Sequence, residues 1–244
     1  IAGSREKLDW PGEISQAKAK GMRILTPVDA EYPRPLLEIH DPPLGLYVWG
    51  RLDSRDRQAI ALVGTRRPSH YGRETAAMLG QQLAKAGFCV VSGLALGIDT
   101  AAHEAALGAG GRTIAVIAGG MDCLYPEANK DLAERISRQG AVISEYPFGR
   151  NPDRTTFPVR NRIVSGLSMG VVVVEAGERS GALITADQAL DQGRSVFAVP
   201  GRIDSAHSQG CHKLIKGGAR LVENVDDVLR EFEFLFPAGS EAIA

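Results

Sequence analysis

Two stretches of this chain place arginine where a helix is expected to begin. The first is Gly64-Thr65-Arg66-Arg67-Pro68-Ser69-His70-Tyr71-Gly72-Arg73, directly after the apolar run Ala59-Ile60-Ala61-Leu62-Val63. The second is Phe157-Pro158-Val159-Arg160-Asn161-Arg162. A helix N-terminus has free N–H groups and a positive partial charge, so acidic side chains are favoured there. Guanidinium groups at that end are repelled unless an anion lies between them, and phosphate suits both arginine and helix end. Two such places point to a ligand with several phosphates. Arg66 carries the strongest signal. Arg67 and Arg73 are either further phosphate contacts or a solvated helix face.

Other residues have two roles open to them. Ser180 before Gly181 is a helix N-cap, alone or with anion binding added. Phe157 either stacks on a base or packs the helix start. His103 follows Asp99 by about one helical turn, as an Asp–His pair or as a core histidine. Glu175 and Asp122 end strands, but no serine or cysteine nucleophile stands out beside them, so no catalytic residue is assigned. Glu175 is better suited to orienting an arginine or capping a turn. There is no Walker sequence and no G-x-G-x-x-G after the first strand, so neither P-loop hydrolysis nor dinucleotide binding is supported.

These residues need a frame to hold them. Apolar runs predict strands at 59–63, 88–91, 113–118, 141–143, 171–174 and 195–199. Helical spacing predicts helices at 71–86, 99–107, 127–138, 159–167, 181–192 and 209–216. Their alternation predicts an α/β fold: a parallel sheet with helices on both faces. Val171-Val172-Val173-Val174 is apolar on both faces, as a central parallel strand should be. Ligands of such sheets bind beyond the carboxyl ends of the strands. The turns there are rich in glycine: Gly64, Gly93, Gly97, Gly119-Gly120, Gly177, Gly181 and Gly201. Glycine lets backbone N–H groups approach a ligand closely.

Before this frame, residues 1–25 are polar and mixed, with Trp10-Pro11-Gly12 reading as a turn. Residues 26–50 hold Pro27, Pro33, Pro35, Pro42 and Pro43, then Leu46-Tyr47-Val48-Trp49-Gly50. That reads as a proline-pinned arm with one short strand. The expected division is an arm or remnant of a small domain over 1–50, the main domain over 51–232, and a tail or linker stub over 233–244.

Composition narrows the function. With 244 residues and 44% apolar content, a full core is within reach. The net charge of −1 supplies no global attraction for nucleic acid, so a polyanion must be held by a local patch. Residues 150–162 form one: Arg150, Arg154, Arg160 and Arg162 against Asp153. Three cysteines, Cys89, Cys123 and Cys211, are odd in number and widely spaced, and Cys89 in its apolar run reads as a buried reduced thiol. His207, Cys211 and His212 lack a fourth ligand at zinc spacing, so no metal is expected. No apolar run approaches the ~20 residues of a membrane span. The expectation is a cytoplasmic protein without cofactor. The first residue is isoleucine, which leaves room for a longer product.

Taken in order, the motifs resemble the DNA-processing protein A family (DprA, also called Smf). They are Val63-Gly64-Thr65-Arg66, Tyr71-Gly72, Ser92-Gly93-Leu94-Ala95, Gly97-Ile98-Asp99 and His103. Gly119-Gly120-Met121-Asp122, Tyr125-Pro126 and Ser144-Glu145-Tyr146-Pro147 follow. Phe157-Pro158-Val159-Arg160-Asn161-Arg162, Val174-Glu175-Ala176, Ser180 through Ala186 and Val199-Pro200-Gly201 complete the set. The likeness spans roughly residues 26–230. It implies an extended Rossmann-like domain that binds single-stranded DNA without turnover chemistry, dimerises, protects incoming strands in natural transformation and helps load RecA. The family's Gly-Ser-Arg turn falls on Gly64, Thr65 and Arg66, and its Arg-Asn-Arg segment on Arg160, Asn161 and Arg162. With Arg67, Gly93, Phe157, Ser180 and Gly181 these make the expected DNA site. Leu96 stands where the family usually has arginine, Ala182 replaces a common serine, and Cys211-His212 is unusual. Some members carry a C-terminal winged-helix domain, for which this chain is too short.

Two other readings compete. Rossmann-like relatives hydrolyse nucleoside monophosphates, but their Pro-Gly-Gly-x-Gly-Thr turn is absent from Gly177-Glu178-Arg179-Ser180-Gly181. A nucleotide-sensing scaffold would bind one mononucleotide and gain nothing from a longer oligomer.

Overall fold

The computed structural model describes residues 9–235. In chain order its elements are α1 (Trp10–Ala19), β1 (Met22–Leu25), β2 (Leu46–Gly50), β3 (Ala59–Gly64), α2 (His70–Lys85), β4 (Cys89–Ser92) and α3 (Ile98–Gly108). Then come β5 (Thr113–Val116), α4 (Lys130–Gln139), β6 (Ala141–Ser144), α5 (Thr156–Leu167), β7 (Gly170–Glu175) and α6 (Gly181–Asp191). β8 (Ser195–Ala198), α7 (Gln209–Lys216), β9 (Arg220–Leu221) and α8 (Val225–Leu229) follow.

The strands form one sheet in the order β1-β2-β6-β5-β4-β3-β7-β8-β9. From β6 to β9 every pairing is parallel. Side chains alternate between the two faces, and both are covered. Ala59, Ala61 and Val63 of β3 join the core under α5 and α6, while Ile60 and Leu62 join the core under α2 and α3. A strand buried on both sides has no polar face to show, which is why β3 and β7 read as unbroken apolar runs. Each buried Leu or Ile adds about 1.5–3 kcal/mol.

The N-terminal segment continues this sheet instead of standing apart from it. β2 pairs antiparallel with β6, Tyr47 opposite Ser144, and β1 pairs antiparallel with β2. Leu25, Tyr32, Leu36, Ile39, Leu46 and Val48 belong to the same core as β3 and β5. Trp10-Pro11-Gly12 opens a helix where a turn was expected. Pro11 falls in the first turn, where its missing N–H costs nothing, and Asp9 accepts from the Gly12 N–H. Of the C-terminal tail, residues 236–244 lie outside the described residues.

The chain order around β3 positions the site. From β3 the chain runs outward through β4, β5 and β6, then returns to lay β7 on the other flank of β3. The turns after β3 and β7 therefore leave in opposite directions and open a crevice at their carboxyl ends.

Candidate nucleic-acid interface

That crevice is a cleft of about 360 Å³. Gly64, Thr65 and Arg66 enter it from the turn after β3, Gly93, Ala95 and Asp99 from the turn after β4. Phe157, Pro158, Arg160 and Asn161 come from α5, and Ser180, Gly181 and Thr185 from the start of α6. Nine of the eleven residues expected at the site thus line one cleft. The other two do not join them. Arg67 is exposed beside the turn. Arg162 donates to both oxygens of Glu145 at 2.7 Å each and to Asp41 at 3.1 Å. Its guanidinium is bound within the protein.

The electrostatics of the helix starts differ from the sequence expectation. At α2 the missing acid arrives from another strand. Glu175, at the end of β7, accepts from the Ser69 N–H at 2.8 Å and from the Ser69 hydroxyl at 2.6 Å. Ser69 in turn accepts from the Gly72 N–H. At α5 the helix begins at Thr156, three residues earlier than expected, and Asp153 accepts from the Thr155 and Thr156 N–H groups. Both helix ends are therefore compensated internally. Arg66 lies in the turn ahead of α2, and Arg160 and Arg162 lie beyond the first turn of α5, where the end charge has faded.

Arg66 is exposed and lies over the Phe157 ring, its guanidinium carbon 4.8 Å from the centroid. Phe157 also meets Tyr125 edge-on, with centroids 6.1 Å apart. Leu96 and Tyr125, both exposed, extend this apolar rim. Sequence reasoning gave Tyr125 no place in the site. Its only signal was an aromatic beside a proline in the turn after β5.

Arg160 is 4% exposed. Its Nη1 donates to the Val116 carbonyl at 2.8 Å, but its buried Nε has no partner. Burial lowers the guanidinium to about 10; Asp99 opposes the fall and Arg66 adds to it. Burial also raises Asp99, against the pull of Arg160 and of two loop amides. Neither charge is fully compensated by the other, yet Arg160 remains a cation at neutral pH.

The glycine turns do something other than offer free N–H groups. The Gly93 and Ala95 N–H groups donate to Asp99 Oδ2 at 3.1 and 3.2 Å. Gly93 instead makes room: a Cβ there would collide with the Arg160 guanidinium. At Gly64 a Cβ would come within 2.6 Å of Ile98 and 2.8 Å of the Glu175 carbonyl. That glycine lets β3, α3 and β7 close together. Directly after Gly93, Leu94 holds φ 58°, a left-handed conformation uncommon for a non-glycine residue.

Ser180 caps α6, accepting from the Ala182 N–H at a long 3.4 Å. His103 does not pair with Asp99. Its Nδ1 lies 2.7 Å from the Thr113 hydroxyl, and burial lowers the ring to about 3. It is a neutral core histidine. Asp122 does not line the cleft; it accepts from the Gly149 N–H. Cys89 and Cys211 are buried thiols, and His212 Nε2 lies 3.0 Å from the Gly201 carbonyl. Among the described residues no three His, Cys, Asp or Glu side chains cluster as metal ligands, and no helix is long and apolar enough to cross a membrane.

A sheet crossing over at β3, with a glycine-rich crevice lined by two arginines and an aromatic ring, is the architecture of an α/β ligand-binding protein. The chain belongs to the DNA recombination-mediator protein A family, whose model matches residues 23–233. It is 44% identical to Protein Smf of Synechocystis over 94% of this chain, and spans 58% of that relative's length. DNA processing protein A from Streptococcus pneumoniae matches at a TM-score of 0.84 and 45% identity, over 91% of this chain and 76% of that one. DNA processing protein A from Helicobacter pylori, whose structure addresses its single-stranded DNA binding mode, matches at 0.77 and 31%, over 87% and 96%. The Rossmann-like fold implied by the motifs is that of these two structures.

Proposed function

We propose that this chain binds single-stranded DNA during DNA uptake, protects incoming strands and helps load the RecA recombinase as a homodimer. One observation carries the binding: Arg66, Phe157 and Arg160 converge on one cleft, with the Arg160 guanidinium buried and under-partnered. Consecutive phosphates held by Arg66 and Arg160 supply the charge that Asp99 does not fully provide. The half-buried Phe157 and the exposed Tyr125 offer a stacking surface for the attached base. Every base has a flat face and every link a phosphate, so such a site is tolerant of sequence. The single-strand binding mode studied for the Helicobacter pylori relative supports the same reading.

Arg162 enters this proposal as a support. Its link to Glu145 and Asp41 fixes α5 against the rest of the fold. Asp99, the only carboxylate lining the cleft among the described residues, is committed to loop amides. That favours binding over turnover.

The test is fluorescence anisotropy with labelled oligo-dT of rising length, beside a duplex of equal length. Affinity should rise with length and favour the single strand. With two phosphates neutralised per protomer, log K against log salt should slope near about −1.4 for single strands. A slope near zero, or equal affinity for one nucleotide and for long oligomers, would remove the proposal.

A further inference from the structure

A second concavity, of about 340 Å³, opens at the other end of the sheet, where the parallel strands begin. Its floor is apolar, made by Leu52, Ile114 and Leu167, and Arg34, Arg51 and Arg57 stand around it. All three arginines are exposed.

The charge balance of this pocket is uneven. Three carboxylates also line it, Glu31, Asp53 and Asp56. Each is already paired with an arginine from outside the lining: Glu31 with Arg23, Asp53 with Arg55 at 3.0 Å, and Asp56 with Arg112 at 2.7 Å. Asp53 and Asp56 also cap the short 3-10 turn Ser54–Arg57. Arg34, Arg51 and Arg57 have no side-chain partner among the described residues. Three unmatched guanidinium groups therefore surround an apolar floor, in a volume within the range of small-molecule sites.

We propose that this pocket binds a small phosphate monoester with an apolar body, the class that includes nucleoside monophosphates. The phosphate meets the arginines, whose forked donors match its oxygens. The body covers Leu52, Ile114 and Leu167. A DNA strand running from the cleft is a poorer fit. α5 joins the two ends of the sheet, from Arg160 near the cleft to Leu167 on this floor, about 10 Å apart at 1.5 Å per residue. Arg162, the arginine between them on this helix, is spent on Glu145 and Asp41, so no basic track follows α5.

Titration calorimetry with AMP, adenosine and inorganic phosphate, on the whole chain, tests the proposal. AMP should bind saturably, and adenosine about tenfold or more weaker. Arg51→Gln with Arg57→Gln should weaken AMP by at least that factor with an unchanged Tm, and each single variant by part of it. Arg66→Ala should leave AMP binding at this pocket intact. The proposal is overturned if AMP does not bind, if its binding disappears in Arg66→Ala but survives the double variant, or if inorganic phosphate binds as tightly as AMP. It is also overturned if the double variant weakens oligo-dT as much as AMP, which would make this end of the sheet a strand contact. The oligo-dT titration reads the cleft separately, so failure of either site leaves the other measurable.

Discussion

The guanidinium carbon of Arg66 stands 4.8 Å from the centroid of Phe157, so a cation from the turn after β3 and an aromatic face from the start of α5 meet on the rim of one cleft. Arg66 is exposed, Phe157 is half-buried, and the buried Arg160 lines the same cleft. A stacked guanidinium keeps its edge free for hydrogen bonds, so Arg66 can grip a phosphate without leaving the ring.

Arg66→Ala should therefore weaken oligo-dT binding about tenfold or more, the scale of a charge-assisted hydrogen bond. Arg66→Lys keeps the charge but loses the planar fork, and should fall between the two. Phe157→Ala should cost about 1–3 kcal/mol of binding, the worth of one stacked base. Tm should hardly move in any of the three, because neither side chain is in the core. Equal affinity for Arg66→Ala and the parent protein would sink the phosphate role of this residue.

Gly93→Ala adds a single methyl group. Gly93 does not have positive φ, so alanine is acceptable to the backbone. The methyl would nonetheless occupy the space of the Arg160 guanidinium. We expect folding to persist and oligo-dT affinity to drop about tenfold as Arg160 is pushed aside. An affinity loss carried by a higher salt slope, instead of a lower one, would show that Arg160 is not the contact removed.

Arg162 should behave in the opposite way. It and Glu145 are 12% and 15% exposed in their side chains, with two 2.7 Å hydrogen bonds between them. Removing one partner strands the other in a poorly hydrated place. Arg162→Ala should destabilise the fold by about 2 kcal/mol or more, measured by urea denaturation. The salt slope of DNA binding should stay unchanged. If stability holds and the slope falls by about 0.7, Arg162 is a phosphate contact after all.

The parallel core was legible in the sequence because strands buried on both faces leave no ambiguity. The six expected strands and six expected helices all appear, with ends shifted by a few residues. The N-terminal elements were less legible. α1 contributes only Ala17 to the buried set, and Pro11 is as much a turn former as a first-turn residue. β9 is two exposed residues, too short for any periodicity. At the cleft, residue type found Arg66 and Arg160 but attached them to the wrong cause. The carboxylate at the α2 start comes from Glu175, 106 positions from Ser69 in sequence. No local pattern reports a partner that distant. Arg162 raised the same charge signal as Arg160, and only the fold separates the guanidinium held by Glu145 from the one facing the cleft.

His103 makes the last prediction, on stability against pH. The Thr113 hydroxyl donates to the Val90 carbonyl at 2.6 Å, so the imidazole must donate to Thr113 from Nδ1. Nε2 is then bare and buried without a partner. Protonating it would bury a second cation near Arg160, and the ring is accordingly lowered to about 3 from 6.5. Between those values the unfolded chain binds the proton and the folded one does not, so stability falls as pH drops below about 6.5. By about pH 5 the loss from this one residue is about 2 kcal/mol. Asp99, raised by burial, has a slope of opposite sign above its unfolded value of 3.8. Comparing the parent with His103→Asn cancels that contribution, since the variant keeps a donor near Nδ1 but does not titrate. Denaturation midpoints for the two proteins should converge in acid as the parent loses stability. Parallel curves from pH 7.5 to 5 would mean that the folded imidazole takes up its proton as readily as the unfolded one, which would sink the account of Nε2 as buried and bare.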